Sequence, residues 1–325
     1  MRIPWLLTGL LASGTVFGQL QTGNLPVHDP VLIRQDSTYF LFATGRGINV
    51  WSSADRLNWK KEPPVFDTLP WGVQTVPGFK NHIWAPDIYQ ANGQYYLYYS
   101  VSAFGKNTSC IGVATNTTLN RNDPAFKWTD HGKLIQSVPG RDMWNAIDPN
   151  LAFDQQGVPW LTFGSFWNGI KMVKLNNDLV SLSSPEKWLT VASRTRSPRL
   201  NDSLPGDAAI EAPFIWRHED YYYLFVSFDY CCRGEKSNYK VMVGRSASIT
   251  GPYIDQAGVP LLQGGGTLVA EGNKDWHGTG HNAVIHDQGR DWLVFHGYDA
   301  KDKGRSKLRI EKISWRDGWP VLEVK

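Results

Sequence analysis

The strongest constraint on this chain is a fivefold repeat. Segments beginning at His28 (HDPVLIRQDSTYFLFATG), Trp84 (WAPDIYQANGQYYLYYSVS), Ile147 (IDPNLAFDQQGVPWLTFGS), Glu211 (EAPFIWRHEDYYYLFVSFD) and His281 (HNAVIHDQGRDWLVFHGYD) share one plan. Their starts lie 56, 63, 64 and 70 residues apart. Each opens on a polar residue beside a proline (Ala283 in the last) and runs through a short apolar strand. Each then turns at residues such as Ala-Asn-Gly and returns through a strand rich in aromatic and β-branched residues, the pattern of a hairpin. A third strand follows as INVWSS, SCIGVAT, GIKMVKL, KVMVGRS and KLRIEKI. A fourth, more polar strand is expected at places such as FKWTD, and no sustained helical periodicity appears.

Four short antiparallel strands repeated five times predict an all-β, single-domain, five-bladed β-propeller over residues 19–325. A β-sandwich seldom repeats so regularly, and the coils of a parallel β-helix are much shorter. In a propeller the first strand of every blade lines the central channel and enters from the same side. The polar residues at the strand starts therefore converge on one mouth: His28, Asp29, Trp84, Asp87, Asp148, Asn150, Glu211, His281 and Asn282. One detail resists simple alternation. Aligned on the proline, Glu211 falls one position earlier than Asp29 and Asp148, whereas neighbours in a regular strand point to opposite faces.

Composition narrows the class. Residues 1–18 have the layout of a cleavable secretory signal peptide, with Arg2, an apolar run and then small residues. That run is too short and too punctuated by Ser and Gly for a membrane span, so an extracellular product is expected, with no membrane association. The formal charge of +3 is spread without a basic run, which argues against nucleic acid. A monomer is expected. Aromatic residues make up 13%; some could stack on sugars, though a large β-core would use them too. Three cysteines exclude a disulfide scaffold. Cys231 and Cys232 could form a vicinal disulfide, or all three could be buried thiols. Sequons at Asn107, Asn116 and Asn201 fit a secreted glycoprotein.

Carboxylates crowded at a channel mouth repel one another. One should stay protonated near neutrality while a better solvated one stays ionised. One acid and one base are what glycosidic-bond cleavage needs; metal binding by the same cluster is the chemical rival.

From residue 28 to about 300 the chain resembles the arabinanases of glycoside hydrolase family 43. The matching stretches, in order, are HDPVLI, IWAPDI, WNAIDPNLAFD, GSFWNGI, AIEAPFIW, FVSFDYCCRG and GTGHNAVI. The resemblance implies a secreted inverting enzyme cutting α-1,5-L-arabinofuranosyl linkages inside the arabinan side chains of pectin. It implies Asp29 as general base, Glu211 as general acid, and Asp148 as the residue that orients the acid and raises its pKa by its own charge. The two catalytic groups of an inverting pair lie about 6.5–9.5 Å apart. The family also implies a channel cation, generally Ca²⁺, held by His281 and mostly by water, with no organic cofactor. Trp84, Asn145, Ser165, Phe166 and Trp167 match stretches that line its sugar cleft; either tryptophan could instead pack between blades. Rivals are an exo-acting arabinofuranosidase or β-xylosidase of the same propeller class, and a non-catalytic sugar-binding propeller. The retaining fructan-cleaving propellers carry Asn-Asp-Pro-Asn-Gly where this chain has VHDPVL.

Overall fold

The structure, a computed structural model, describes residues 20–323; the expected signal peptide lies outside them. Five antiparallel sheets follow one another along the chain, and the four main strands of each run from channel to rim in sequence order; Leu20–Gln21 is added at the outer edge of blade 1 and Gly45–Arg46 at the inner edge of blade 2. Their innermost main strands are Val31–Gln35, His82–Ala91, Asn150–Phe153, Ile210–His218 and Trp276–Asp287. These are the blades of the expected β-propeller. The third strands also stand where the sequence put them, Lys240–Ser246 coinciding with KVMVGRS. The fourth strand of blade 2 is Thr129–Gln136, so most of FKWTD precedes it rather than forming it. Among the described residues, regular helix is confined to one α-turn, Pro70–Thr75, and two 3₁₀ turns.

The aromatic second strands explain the packing. A strand sends alternate side chains to opposite faces, and each blade is covered on both faces by its neighbours. In blade 2, Tyr95, Leu97 and Tyr99 join a core shared with blade 1, whereas Tyr96 and Tyr98 join the core shared with blade 3. In blade 4, Tyr222, Leu224 and Val226 face blade 3, while Tyr223 and Phe225 face blade 5. Strands buried on both sides read as continuous apolar runs, which is why YYLYYSV and YYYLFVSF show no polar alternation. The fifth inter-blade core, between blades 5 and 1, includes Leu25, Val27 and Leu32 with Val294 and Leu308.

The chain start closes the ring. Leu20–Gln21 adds the outermost strand of blade 1 by pairing with Asn58 and Trp59. The following residues cross to blade 5, where Leu308 N–H donates to Leu25 O at 2.9 Å and Gly23 N–H to Leu308 O at 3.1 Å. Two of the three sequons are inaccessible in this fold: Asn107 and Asn116 are 1% and 2% exposed. The Asn107 amide nitrogen already donates to the carbonyl of Asp142 at 2.9 Å. Asn201 alone of the three lies at the surface.

Candidate active site

The strand entrances resolve the displaced glutamate. The residue before the proline, or before Asn282 in blade 5, has positive φ in all five blades: Asp29, Ala85, Asp148, Ala212 and His281. Left-handed backbone is costly for non-glycine residues, about 1–3 kcal/mol each, and tends to persist where surrounding structure enforces it. Here the enforcement is a ring of bonds between blades. The N–H of Ala85 donates to Thr44 Oγ1 at 2.8 Å and that of Asp148 to Ser100 Oγ at 3.0 Å. Likewise His281 N–H donates to Ser227 Oγ at 2.8 Å, and Asp29 N–H to His296 Nδ1 at 3.2 Å. The ladder slips at the same place, between Glu211 and Phe214 and between Gly280 and Ala283. This bulge breaks the alternation, so Glu211 and the carboxylates one step later can serve the same mouth.

Blade 4 departs from the ring, and the departure is where the chemistry concentrates. Its Ala212 N–H donates to Asp148 Oδ2 at 3.1 Å instead of to a serine. Ser165, from blade 3, turns its hydroxyl to Glu211 Oε2 at 2.7 Å. The other Glu211 oxygen accepts from the Tyr239 hydroxyl, also at 2.7 Å. Burial pushes the Glu211 carboxyl up, against the lowering effect of these two bonds. Burial, with the charges of Glu211 and Asp29 and against that of His281, pushes Asp148 up to about 8. The adjoining pair thus retains a proton near neutrality. Asp148 was expected to act through its negative charge; in the resting protein its own burial makes it a principal holder of that proton.

Asp29 is the opposite case. Its Oδ1 meets His28 Nδ1 at 2.7 Å and His281 Nδ1 at 3.1 Å, and its Oδ2 accepts from Thr44 Oγ1 at 2.5 Å. Burial alone would raise it, yet His28 and His281 hold it well below the usual aspartate range. Asp29 also lifts His281 to about 9, overcoming the lowering effect of burial. One ionised carboxylate and a pair of proton-retaining carboxyls therefore adjoin the same imidazole, through contact in one case and charge in the others.

Other expected residues divide. Trp84 is half-buried at the entrance of blade 2, its indole N–H on His82 Nδ1 at 3.0 Å. Phe166 is half-buried against Tyr230. Asn145 is buried, with an Oδ1 that has no partner. Trp167 is a correction: it is 1% exposed and its N–H bonds Asp202 O at 2.9 Å, so no face remains for a sugar. Asp87 has a structural task, accepting Leu151 N–H of blade 3 at 2.8 Å. Tyr239, Thr44 and His296 were missed because they precede third strands or end second strands, outside the positions that the repeat marks as channel-lining. All three cysteines are unpaired, so no vicinal disulfide is formed.

For a hard cation, His281 is accompanied by the buried Asn282 amide, whose Oδ1 and Nδ2 lack partners. Among the described residues no close group of three His, Cys, Asp or Glu donors includes His281. The fit is to an ion held mainly by water, as oxygen-loving cations accept.

Fold and site together define a five-bladed propeller with buried, oppositely tuned carboxyls at one mouth. Residues 23–320 match the family model of glycosyl hydrolases family 43. The chain is 49% identical to an extracellular exo-α-(1→5)-L-arabinofuranosidase of Cellvibrio japonicus, over 100% of this chain and 94% of that protein. It is 42% identical to an extracellular endo-α-(1→5)-L-arabinanase of Bacillus subtilis, over 90% and 87%. The solved structure of a Cellvibrio cellulosa α-L-arabinanase complexed with arabinohexaose superposes with a TM-score of 0.90 at 50% identity, covering 92% of this chain and 96% of that one. The chain belongs to glycoside hydrolase family 43.

Proposed function

We propose that the protein is a secreted, inverting glycosidase that hydrolyses α-1,5-L-arabinofuranosyl linkages of pectic arabinan. The observation that carries this reading is the contrast between Asp29, held ionised by His28 and His281, and Glu211, pushed toward its protonated form by burial. In this mechanism Asp29 accepts a proton from water as that water attacks the anomeric carbon. Glu211 delivers a proton to the departing glycosidic oxygen as its bond to the anomeric carbon breaks, and attack of the water from the opposite face inverts the configuration. Ser165 and Tyr239 each donate to one Glu211 oxygen and so fix the orientation of the carboxyl group. Asp148 orients the blade 4 entrance through Ala212 and shares the proton of the acid. Neutral His281 and Asn282 would hold a Ca²⁺ ion, whose charge would then replace that of the imidazolium beside Asp29. Trp84 and Phe166, both half-buried, offer aromatic surface to the substrate.

Internal cleavage is the mode expected from the sequence; exo attack is a second reading, favoured by the Cellvibrio japonicus relative. Digestion of linear arabinan by wild type and Glu211→Gln tests both levels. The glutamine variant is expected to lose activity by about 10²-fold or more, with its unfolding temperature preserved. A ladder of oligosaccharides early in digestion supports the endo mode, and release of one small product from chain ends supports the exo mode. A first-formed sugar of retained configuration would remove Asp29 from its role.

A further inference from the structure

After the second strand of blade 4, Tyr221–Phe228, the chain passes through Cys231 and Cys232 at the mouth beside His28. Cys231 is half-buried and Cys232 exposed. Side chains of adjacent residues in an extended strand diverge, but Cys232 is left-handed, with φ 63, and the turn brings both sulfurs together. Cys231 Sγ, Cys232 Sγ and a ring nitrogen of His28 all lie within 4.8 Å of one another. The Cys232 Sγ to His28 Nε2 separation is 3.7 Å. A tetrahedral ion with metal–sulfur and metal–nitrogen bonds of about 2.3 and 2.0–2.1 Å holds its S and N ligands about 3.6 Å apart.

His28 is also oriented as a ligand. Its Nδ1 is anchored on Asp29 Oδ1 at 2.7 Å, and its ring stacks on His296 with centroids 4.0 Å apart. This leaves Nε2 directed to the Tyr298 hydroxyl at 2.9 Å and to the cysteine sulfur. A carboxylate behind an imidazole is the usual outer-shell arrangement at metal-binding histidines. Thiolate is the ligating form; the hydrogen bond between the two sulfurs lowers the Cys232 thiol and raises that of Cys231, so binding must displace at least the Cys231 proton.

We propose that His28 Nε2, Cys231 Sγ and Cys232 Sγ form a site for a thiophilic divalent cation of the Zn²⁺ or Cd²⁺ type, with a fourth position open to water, and that its occupation inhibits hydrolysis. Two thiolates and one imidazole are soft and borderline donors, unlike the oxygen set that suits Ca²⁺. The ion takes three lone pairs. Any protons on the sulfurs and on Nε2 leave to solvent, and the Tyr298 hydroxyl gives up Nε2. Inhibition follows because the ion polarises the imidazole that grips Asp29, the proposed base. The site itself rests only on the three donors; its inhibitory effect rests on the hydrolase reading.

The test uses the full chain with its thiols reduced by a phosphine, freed of reductant and titrated with Cd²⁺ alone. An ultraviolet thiolate-to-cadmium band is expected to saturate at one ion per chain. Cys231→Ser and Cys232→Ser should each weaken it by about 10–100-fold or more, and Cys110→Ser should leave it intact. Thermal unfolding of the metal-free variants checks their folding. Arabinan hydrolysis by wild type should fall as the band grows and return with a dithiol chelator. The Cys232→Ser rate, relative to its own metal-free value, should not respond. No band, or an unchanged midpoint in Cys232→Ser, overturns the site. A full band without loss of rate overturns the inhibitory link. A metal-free chain that hydrolyses nothing would count against the hydrolase reading while the band still decides the site.

Discussion

Tyr239 illustrates how one hydroxyl tunes an acid. Its hydrogen bond to Glu211, like that of Ser165, favours the carboxylate and opposes the effect of burial; a bond to a charged group contributes about 1.5–3 kcal/mol. Tyr239→Phe keeps the ring that Gly280 accommodates, since a Cβ at Gly280 would collide with it. The loss should favour protonated Glu211, so the alkaline limb of the kcat/KM profile is expected to move to higher pH. A limb that stays or moves down would remove Glu211 as the titrating acid. Asp148 carries a stability consequence of opposite kind. Its pKa is raised on folding from 3.8 to about 8, so the unfolded chain loses the proton first. Its contribution to stability is therefore full below pH 4 and is lost as pH rises to about 8. Asp148→Asn can keep an oxygen for Ala212 and removes this loss. It should stabilise the protein by a few kcal/mol at pH 8 and little at pH 4, with activity reduced. Equal unfolding temperatures across that range would contradict the burial argument.

At the scale of the strand, what was legible in the sequence was what repeats. Aromatic-rich apolar runs and turn residues recur in each unit, and prolines in four of the five, so blade number and the first and third strands could be read directly. The polar fourth strands carry no such signature, and Thr129–Gln136 was placed several residues early. Asp29, Asp148, Glu211 and His281 were visible because they mark equivalent strand entrances. The left-handed bulge that aligns them was not, because an aspartate before a proline also reads as ordinary extended chain. Trp167 failed for a related reason: an aromatic residue in a cleft-lining stretch has the same letter whether its face is free or buried. The resting proton on Asp148 depends on burial that no local pattern reports.

For the molecule as a whole, the seam between blades 1 and 5 is the vulnerable join. Leu25 and Val27, 0% and 5% exposed, are donated to that seam by a segment of blade 1 that contributes nothing to the site. Fully burying each such side chain contributes about 1.5–3 kcal/mol. Deleting residues 20–27 should lower the unfolding temperature by on the order of 10 °C, measured calorimetrically, with all five blades otherwise intact. An unchanged temperature would show that the other inter-blade cores hold the ring alone.

The same seam orders events during biosynthesis. Leu25 meets Leu308 across about 280 residues of intervening chain, which a ribosome takes roughly 15–60 s to make. Throughout that interval the opening stretch can dock on blade 1 through Asn58 and Trp59 but lacks its blade 5 partners, and the apolar face it turns to them stays open to chaperones or to neighbouring nascent chains.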